Sequence, residues 1–359
     1  MRKFTKILAV ILSVVMLLGV CQMVMAAEAA PEYTLIYSTQ DSESDVKSEL
    51  IREYAEKVKE VTDGRVEIEI HYNGELAATP EVPAALLAGT IDMGFVATTI
   101  DAAFQLDVLS EMIPCDTECQ HPSRVYTKCL EFEDFAKPYE PFKVIALFAM
   151  GPNVCCTAKK EIATPDDLKG LTMGVCSGLQ ATMLGNMGVS AVFCEPNGEY
   201  TALEKGVVDG CFYLPWNGMV TQSWAEQLDY ILMMNTTVSR NGFLMSKAAW
   251  DMLPQDIQEA MDGIQDWFVD EIDRLHYEDF AEKIKTVKEE YGVTYIYPTE
   301  EAIAEFQKYK DEAAQGYIEE LNGQGIDATG FWEFYNKLIE ENSGDKFIDM
   351  GSLSDYVVE

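Results

Sequence analysis

The segment from Pro254 to Tyr291 constrains the fold more than any other part of this chain. Its apolar residues recur mostly every three or four positions, Pro254 suits a first helical turn and Gly292 suits a stop, so the pattern predicts one helix. At 1.5 Å per residue this helix would span about 57 Å. Because that length exceeds the width of one domain in a chain of this size, we expect the helix to bridge two domains, with a break near Glu278.

Upstream of this helix, strand patterns and helix patterns alternate. The apolar residues of segment 46–61 follow helical spacing, and those of segment 66–72 alternate strictly, as in a half-buried strand. A second series of the same kind begins after the strand-like segment "FKVIALFAM". Such alternation is typical of α/β domains with a largely parallel sheet. We therefore expect two α/β domains, with a ligand cleft at the carboxyl ends of their strands.

The N-terminus predicts export. Arg2, Lys3 and Lys6 precede an uncharged apolar run, residues 7–20, which is short for a membrane span, and small residues then offer a cleavage site. Residues 1–26 are thus expected to be a secretory signal peptide. The mature chain is expected to be secreted across the cytoplasmic membrane and to act in the periplasm or at the cell surface.

One cysteine near the end of this signal raises a second possibility. Cys21 follows Leu18 at the spacing of a bacterial lipoprotein signal, which would give the protein a lipid anchor. Val20 is bulky for the position before the modified cysteine. We therefore do not favour the anchor.

The net charge of the chain and the spacing of its histidines and cysteines argue against several kinds of partner. The chain has 26 Lys and Arg against 61 Asp and Glu, a formal net charge of −35. Nucleic acid is not expected as a partner, because phosphate binding needs clustered cations. The three histidines are widely separated and no cysteine spacing forms a double C-x-x-C array, so neither a metal nor another cofactor is expected.

The sequence also lacks the motifs of common enzyme classes. It contains no G-x-S-x-G, H-E-x-x-H, P-loop or G-x-G-x-x-G pattern. Glu67 and Glu69 share one strand face, but opposite an apolar face they indicate a solvated surface. We therefore predict a binding protein, not an enzyme, with two lobes that close by hinge motion on a small organic molecule.

Five segments, in order, give the chain a resemblance to a known family. They cover roughly residues 33–339 and are "YAEKVKEVTDGRVEIEIHYNGEL", "LLAGTIDMGF", "IATPDDLKGLTMGV", "EYTALEKGVVDG" and "LMSKAAWDMLPQDIQEAM".

With these segments the chain resembles the substrate-binding subunits of TRAP transporters, the DctP-like extracytoplasmic solute receptors. The resemblance implies the two-lobed α/β fold of type II periplasmic binding proteins, with a long domain-bridging helix. The implied ranges are 32–150 plus about 240–275 for lobe I, 151–239 plus about 276–341 for lobe II, and 342–359 for a C-terminal tail.

The resemblance further implies that the receptor delivers its ligand to a sodium-coupled membrane permease, and we expect it to be a monomer. Three alternatives use the same cleft. They are a binding protein of an ATP-driven importer, an accessory that presents ligand to a sensor, and an exported enzyme.

One position departs from the family pattern. Relatives usually carry an arginine on the strand after "DLKG", where its guanidinium grips a ligand carboxylate with two parallel hydrogen bonds. The corresponding residue here is Gly174. Three explanations remain open. Arg240 could supply the charge from another strand; the ligand could be neutral, zwitterionic or cationic; or the alignment could be one residue off or the binding function lost.

The aromatic residues expected near the cleft favour the second explanation, because ring faces stack on flat ligands and stabilise cations. The ring candidates are Phe95, Phe148, Phe212, Tyr213 and Trp216. The candidates for orienting the ligand through polar or polarisable atoms are Gln40, Thr98, Asn153, Cys176 and Glu195.

Overall fold

The computed structural model describes residues 30–113, 119, 121–194 and 198–343. The expected signal peptide with Cys21, the site candidate Glu195 and the expected tail beyond Ser343 lie outside the described residues. Within the described ranges, no helix has both the length and the apolar character that a membrane span requires.

The strands of the described residues form one connected sheet. In chain order they are β1 (Tyr33–Ser38), β2 (Val66–His71), β3 (Met93–Ala97), β4 (Phe142–Thr157), β5 (Thr172–Val175), β6 (Ser190–Phe193), β7 (Gly210–Pro215), β8 (Tyr230–Leu232), β9 (Val238–Ser246) and β10 (Thr294–Ile296).

The α-helices of the same residues cover the faces of this sheet. They are α1 (Val46–Val61), α2 (Val82–Ala88), α3 (Gln105–Ser110), α4 (Pro122–Thr127), α5 (Glu133–Ala136), α6 (Gly178–Asn186), α7 (Glu199–Glu204), α8 (Asn217–Thr221), α9 (Lys247–Met252), α10 (Gln255–Asp262), α11 (Gln265–Tyr291), α12 (Glu300–Gly323) and α13 (Ala328–Asn342).

The sheet consists of two parallel halves that share two long antiparallel strands. Its main strand order is β2-β1-β3-β9-β4-β7-β5-β6, with β8 paired to β4 and β10. β1 pairs in parallel with β2 and β3, whereas β5 pairs in parallel with β6 and β7. β4 and β9 pair with each other between these halves. The register of that pair shifts between Ala149 and Pro152, where Gly151 has a φ of +81°. The expected two-lobed α/β architecture is confirmed.

The helix α11 packs against both halves. Phe268 and Ile272 lie in the apolar core beside β1, β3 and the first part of β4. Phe280 and Ile284, further along the same helix, lie in a second core beside β7 and the end of β4. The prediction of a helix that bridges two domains is therefore correct.

The position predicted for the break in this helix is wrong. The interruption falls at Gly263–Ile264, between α10 and α11, and the helix is continuous through Glu278. Glycine is about 1 kcal/mol less favourable than alanine in a helix, so Gly263 is a weak point. At Glu278 the carboxylate accepts a hydrogen bond from Arg274 one turn earlier, at 2.8 Å, and such pairs support helical structure.

Phe268 provides a test of the contact between α11 and the first core. Its ring lies 4.5 Å from Tyr54 and 5.4 Å from Phe243, between ring centroids. Phe268→Ala should lower the free energy of unfolding by about 3–5 kcal/mol, because it leaves a cavity in a closely packed core. Chemical denaturation measures the change. Lys285→Ala, at an exposed position of α11, is the control and should stay within about 0.5 kcal/mol of the wild type. Equal losses in both variants would contradict this account.

Candidate ligand-binding site

A cavity of about 130 Å³ lies between the two halves of the sheet. It shares Thr99, Ile100, Cys176 and Phe193 with a wider cleft of about 590 Å³, and Phe193 is 54% exposed, so this side is the mouth. The lining residues are Asp41, Lys47, Thr79, Phe95, Ala97, Thr99, Ile100, Met150, Cys176, Phe193, Cys194, Glu199, Tyr213, Pro215, Trp224, Ser239 and Asn241.

A buried ion pair forms one part of the wall. Lys47, in the first turn of α1, places its Nζ 2.5 Å from Asp41 Oδ1 and 4.0 Å from Asp45 Oδ1. The same Nζ lies 4.5 Å from the centre of the Phe95 ring. Burial opposes the charge on Lys47, but the carboxylates of Asp41 and Asp45 outweigh it and raise the lysine pKa. The ammonium group is therefore charged at neutral pH and is neutralised locally by two carboxylates.

A second carboxylate faces the cavity from the other half of the fold. Tyr213, on β7, donates a hydrogen bond of 2.7 Å from its hydroxyl to Glu199 Oε1, at the start of α7. Burial, and then the negative charge of Glu199, raise the pKa of Tyr213 well above its ordinary value. The phenol consequently stays protonated and holds the carboxylate in place.

Four aromatic rings line the cavity. Phe95 comes from the first half of the sheet, and Phe193, Tyr213 and Trp224 come from the second. The six-membered ring of Trp224 lies directly over Gly218, where a Cβ would come within 2.1 Å of it. The indole Nε1 of Trp224 is buried, and no hydrogen-bond acceptor lies within reach of it among the described residues. A ligand with an acceptor group would give this N–H a partner.

Gly174 lies beneath two thiols. A Cβ at this position would lie 2.8 Å from the Sγ of Cys211 and 2.9 Å from the Sγ of Cys194, closer than real packing allows. Cys194 follows β6 and Cys211 belongs to β7, with β5 between them. Two strand spacings alone keep their Cα atoms at least about 9–10 Å apart. A disulfide needs less than about 7 Å, so both sulfurs remain as side-chain packing over the glycine.

The sequence of the chain matches a model of "Bacterial extracellular solute-binding protein, family 7" (DctP) over residues 37–320. The chain belongs to this family. As a family 7 protein it is an extracytoplasmic solute receptor of the TRAP type that binds small ligands, and not an enzyme. The prediction of the family from five sequence segments is confirmed.

Relatives and solved structures agree with this assignment. The family 7 protein is 23% identical to "Outer membrane transporter protein TsaT" of Comamonas testosteroni, over 87% of this chain and 93% of the relative. It superimposes with a TM-score of 0.80, at 19% identity, on a marine metagenome TRAP solute binding protein specific for aromatic acid ligands, covering 87% of this chain and 100% of the other.

A second solved structure has the same fold. It is a TRAP solute binding protein from Rhodoferax ferrireducens in complex with copurified benzoate, with a TM-score of 0.80 at 21% identity, over 86% of this chain and 98% of the other. At these identities the similarity shows the fold.

Three of the residues proposed from sequence line the cavity of this family 7 receptor. They are Phe95, Cys176 and Tyr213. Gln40 lies beside it, since its Oε1 accepts a hydrogen bond from the backbone N–H of Thr79, a lining residue. The structure thus brings together at least one candidate from each half of the sheet.

The other ring candidates lie in the cores. Phe148 stacks on Phe243 with 4.8 Å between ring centres. Trp216 packs edge-on against Phe280, and Phe212 is fully buried in another apolar cluster. These three rings are buried in the apolar cores and do not line the cavity.

The remaining polar candidates are engaged outside the lining. Thr98 donates its hydroxyl hydrogen bond to the carbonyl oxygen of Arg240, and Asn153 donates to Thr237 and Ser239. Gly174 is beneath the thiols described above. These contacts fix strand ends around the cavity and leave none of the three on its surface.

Arg240 also lies outside the cavity lining. Its guanidinium donates hydrogen bonds to the carbonyl oxygens of Ser110 and Ile113, at 3.1 and 2.6 Å. It stands over the Tyr126 ring at 5.0 Å from the ring centre and is fully buried. The carboxyl groups of Asp107 and Glu111 also interact with this positive charge, so Arg240 serves as a structural contact outside the cavity.

Sequence reasoning missed most of the charged part of the site. Asp41 lies in the loop that follows the carboxyl end of β1. The rule that ligands bind at the carboxyl ends of strands could therefore have identified it. Lys47 and Glu199 begin helices, and Trp224 lies in a short turn after α8. Nothing in their local patterns separates them from ordinary helix and turn residues.

The packing at Gly174 gives a double-mutant test. Gly174→Ala should lower the free energy of unfolding by about 1–3 kcal/mol, because the new methyl group collides with the two sulfurs. Adding Cys211→Ala should recover part of this loss, so the two changes should not be additive. Gly178→Ala is the matched control, since no atom lies within 4 Å of its Cβ position. Additive losses in the double variant would show that Cys211 does not occupy this space.

Glu111 joins the loop after α3 to the start of α6 beside the cavity. It accepts hydrogen bonds from Ser177 Oγ at 2.5 Å and from Gln180 Nε2 at 3.0 Å. Burial raises its pKa to about 7, although these two hydrogen bonds oppose the shift. The folded protein therefore holds this proton more tightly than the unfolded chain does.

This shift predicts how stability depends on pH. The contribution of a protonated Glu111 is fully present below its ordinary pKa and is lost as the pH rises through about 7. In that window the wild type should lose up to about 1.4 kcal/mol of unfolding free energy per pH unit relative to Glu111→Gln. Unfolding curves at several pH values measure the difference. Glu131→Gln, at an exposed site, should run parallel to the wild type, and a parallel Glu111→Gln curve would contradict the assignment.

Proposed function

We propose that this protein captures a small aromatic ligand in the cavity and delivers it to the sodium-coupled permease subunits of a TRAP transporter. The observation that carries the proposal is the ring-lined cavity between the two halves of the sheet. Its volume of about 130 Å³ is close to that of an apolar cavity of about 150 Å³ that accepts benzene. The working form is a secreted monomer that begins after the signal peptide, residues 1–26.

Closure of two lobes would bring the walls of the cavity together. We assign 32–150 and about 240–275 to lobe I, and 151–239 and about 276–341 to lobe II. The boundary at residue 151 coincides with the register shift of β4, where Gly151 has a positive φ. Lobe I then contributes the Lys47 and Phe95 side of the cavity, and lobe II contributes the Tyr213 side. β4 and β9 are the strands that would flex.

In this proposal the ligand is bound without an arginine at position 174, where the chain has a glycine. Two observations support this part of the proposal. Gly174 is covered by the sulfurs of Cys194 and Cys211, and the Arg240 guanidinium is bound to backbone carbonyl oxygens behind the wall. Solved relatives were found with benzoate and with metahydroxyphenylacetate. We propose that this receptor shares their preference for a ring and differs in the group that the ring carries.

A thermal-shift screen of the mature chain, residues 27–359, tests the proposal. The panel contains benzoate, tyramine, 2-phenylethanol, succinate, glucose and betaine. A ligand at a hundred times its dissociation constant stabilises the folded state by about 2.7 kcal/mol, which is readily seen. We expect at least one aromatic compound to raise the melting temperature. A shift with succinate, glucose or betaine alone would overturn the aromatic assignment.

Trp224 should determine much of the affinity. Trp224→Leu removes a ring face and an N–H donor from the wall and should weaken binding of the best aromatic ligand by about tenfold or more, as measured by calorimetry. Trp267→Leu removes a tryptophan that lies under Lys57, away from the cavity, and should leave the affinity unchanged. Circular dichroism confirms that both variants fold. Unchanged affinity in a folded Trp224→Leu would refute the role of this ring.

A further inference from the structure

Three cysteines lie on one face of the sheet beside the cavity. Cys176 follows β5, Cys194 follows β6 and Cys211 belongs to β7. The strand register pairs Gly174 with Val192 on one side and with Cys211 on the other. Side chains two residues apart point to the same face of a strand, so all three thiols share this face. Two of them, Cys176 and Cys194, line the cavity itself.

Cys176 and Cys194 are close enough to be joined by a disulfide. Val175 and Phe193, the last residues of β5 and β6, are register partners. The backbone N–H of Cys194 donates to the carbonyl oxygen of Val175 at 2.9 Å, so the two strands are still paired where the cysteines follow. Paired strands are about 4.8 Å apart. A disulfide requires about 4.4–6.8 Å between Cα atoms, and both cysteines carry free thiols.

Cys194 is the more reactive thiol of this pair. The Cys211 thiol donates a hydrogen bond to its sulfur above Gly174 and lowers the pKa of Cys194, although burial and the charge of Glu199 oppose this shift. The same hydrogen bond, together with burial, raises the pKa of Cys211. Because the thiolate is the nucleophilic form of cysteine, Cys194 should react first, with Cys211 as its hydrogen-bond donor.

Cys176 has the properties of a second, resolving thiol. Burial and then the charge of Glu111 raise its pKa well above the ordinary value, so it stays protonated and does not compete with Cys194 for the first reaction. Its thiol donates to Gln180 Oε1 at 3.5 Å. Redox-sensitive cysteines typically combine one accessible thiol of low pKa with a neighbouring thiol that resolves it.

A small oxidant can reach these thiols through the mouth of the cavity. Cys176 is partly exposed and lines both the cavity and the wider cleft, and Phe193 at the same opening is 54% exposed. A water molecule needs only about 10–15 Å³, and hydrogen peroxide is little larger. The cavity, at about 130 Å³, therefore admits peroxide beside Cys194.

We propose that Cys194 and Cys176 form a peroxide-sensitive thiol pair in the wall of the ligand cavity. In the first step the Cys194 thiolate attacks one oxygen of hydrogen peroxide. An S–O bond forms, the O–O bond breaks, and the departing hydroxide takes up the proton that Cys194 released. Cys194 is then a sulfenic acid.

In the second step the sulfur of Cys176 attacks the sulfur of Cys194. The S–S bond forms and the S–O bond breaks, and the hydroxyl group leaves as water with the proton of the Cys176 thiol. Two thiols and one hydrogen peroxide thus give one disulfide and two water molecules. The two sulfurs lose two electrons, and the peroxide oxygens gain them. The bond draws the Cys194 sulfur from its place over Gly174 and so alters the wall of the cavity.

Peptide mapping by mass spectrometry tests the proposal on the reduced, folded mature chain, residues 27–359. After a brief treatment with hydrogen peroxide, the remaining thiols are blocked with N-ethylmaleimide in denaturant. We expect a disulfide between Cys176 and Cys194 to appear before any other cysteine is modified. An unmodified Cys194 beside other oxidised cysteines, or a first disulfide between another pair, would overturn the proposal.

Three variants separate the two steps. Cys176→Ser should stop the reaction at a sulfenic acid on Cys194, which dimedone traps, whereas Cys194→Ser should leave Cys176 reduced over the same time. Cys129→Ala removes a thiol that is buried in an apolar core away from the cavity, and it should oxidise like the wild type. Equal oxidation of Cys176 with and without Cys194 would refute the assigned roles. Should a serine variant fail to fold, the peptide map of the wild type decides alone.

Discussion

The packing of one helix into two apolar cores is the contact on which the rest of this fold depends. Phe268 and Ile272 of α11 belong to the first core, and Phe280 and Ile284 belong to the second. The side chains that line the cavity come from both halves of the sheet, among them Phe95 of β3 and Tyr213 of β7. A rigid helix across both halves restricts their relative motion to a hinge, because sliding would pull a buried ring out of one core.

The buried ion pair of Lys47 and Asp41 determines the charge on one wall of the cavity. Removing two charges from water costs several kcal/mol per ion, and their attraction offsets this only with good geometry. Here Asp41 accepts hydrogen bonds from both Lys47 and Thr39, and Asp45 caps α1 through the backbone N–H of Lys47. The ammonium group is thus built into the start of the helix. Two carboxylates match its charge inside the wall, which explains why a positive residue there need not attract an anion.

The sequence was sufficient for the fold and for part of the site. Alternating strand and helix patterns, the bridging helix and the family segments each depend on local periodicity or residue order, which the chain displays directly. The side chains facing the cavity depend on which face of each strand is covered. Phe212 and Tyr213 are neighbours on β7 and point to opposite faces, so one enters a core and the other the cavity. Glu199 and Trp224 belong to a helix and a turn that tertiary packing alone brings to the wall.

The role of Gly174 depends on the two thiols that pack over it. The sequence shows a glycine where an arginine is expected, which suggests an empty space, but the sulfurs of Cys194 and Cys211 fill that space to within 3 Å of the missing Cβ. The three residues therefore behave as one packing unit. A lone Gly174→Arg change would have to push its side chain between two buried thiols before the guanidinium could reach the cavity. The packing of this wall is consequently a property of three positions together.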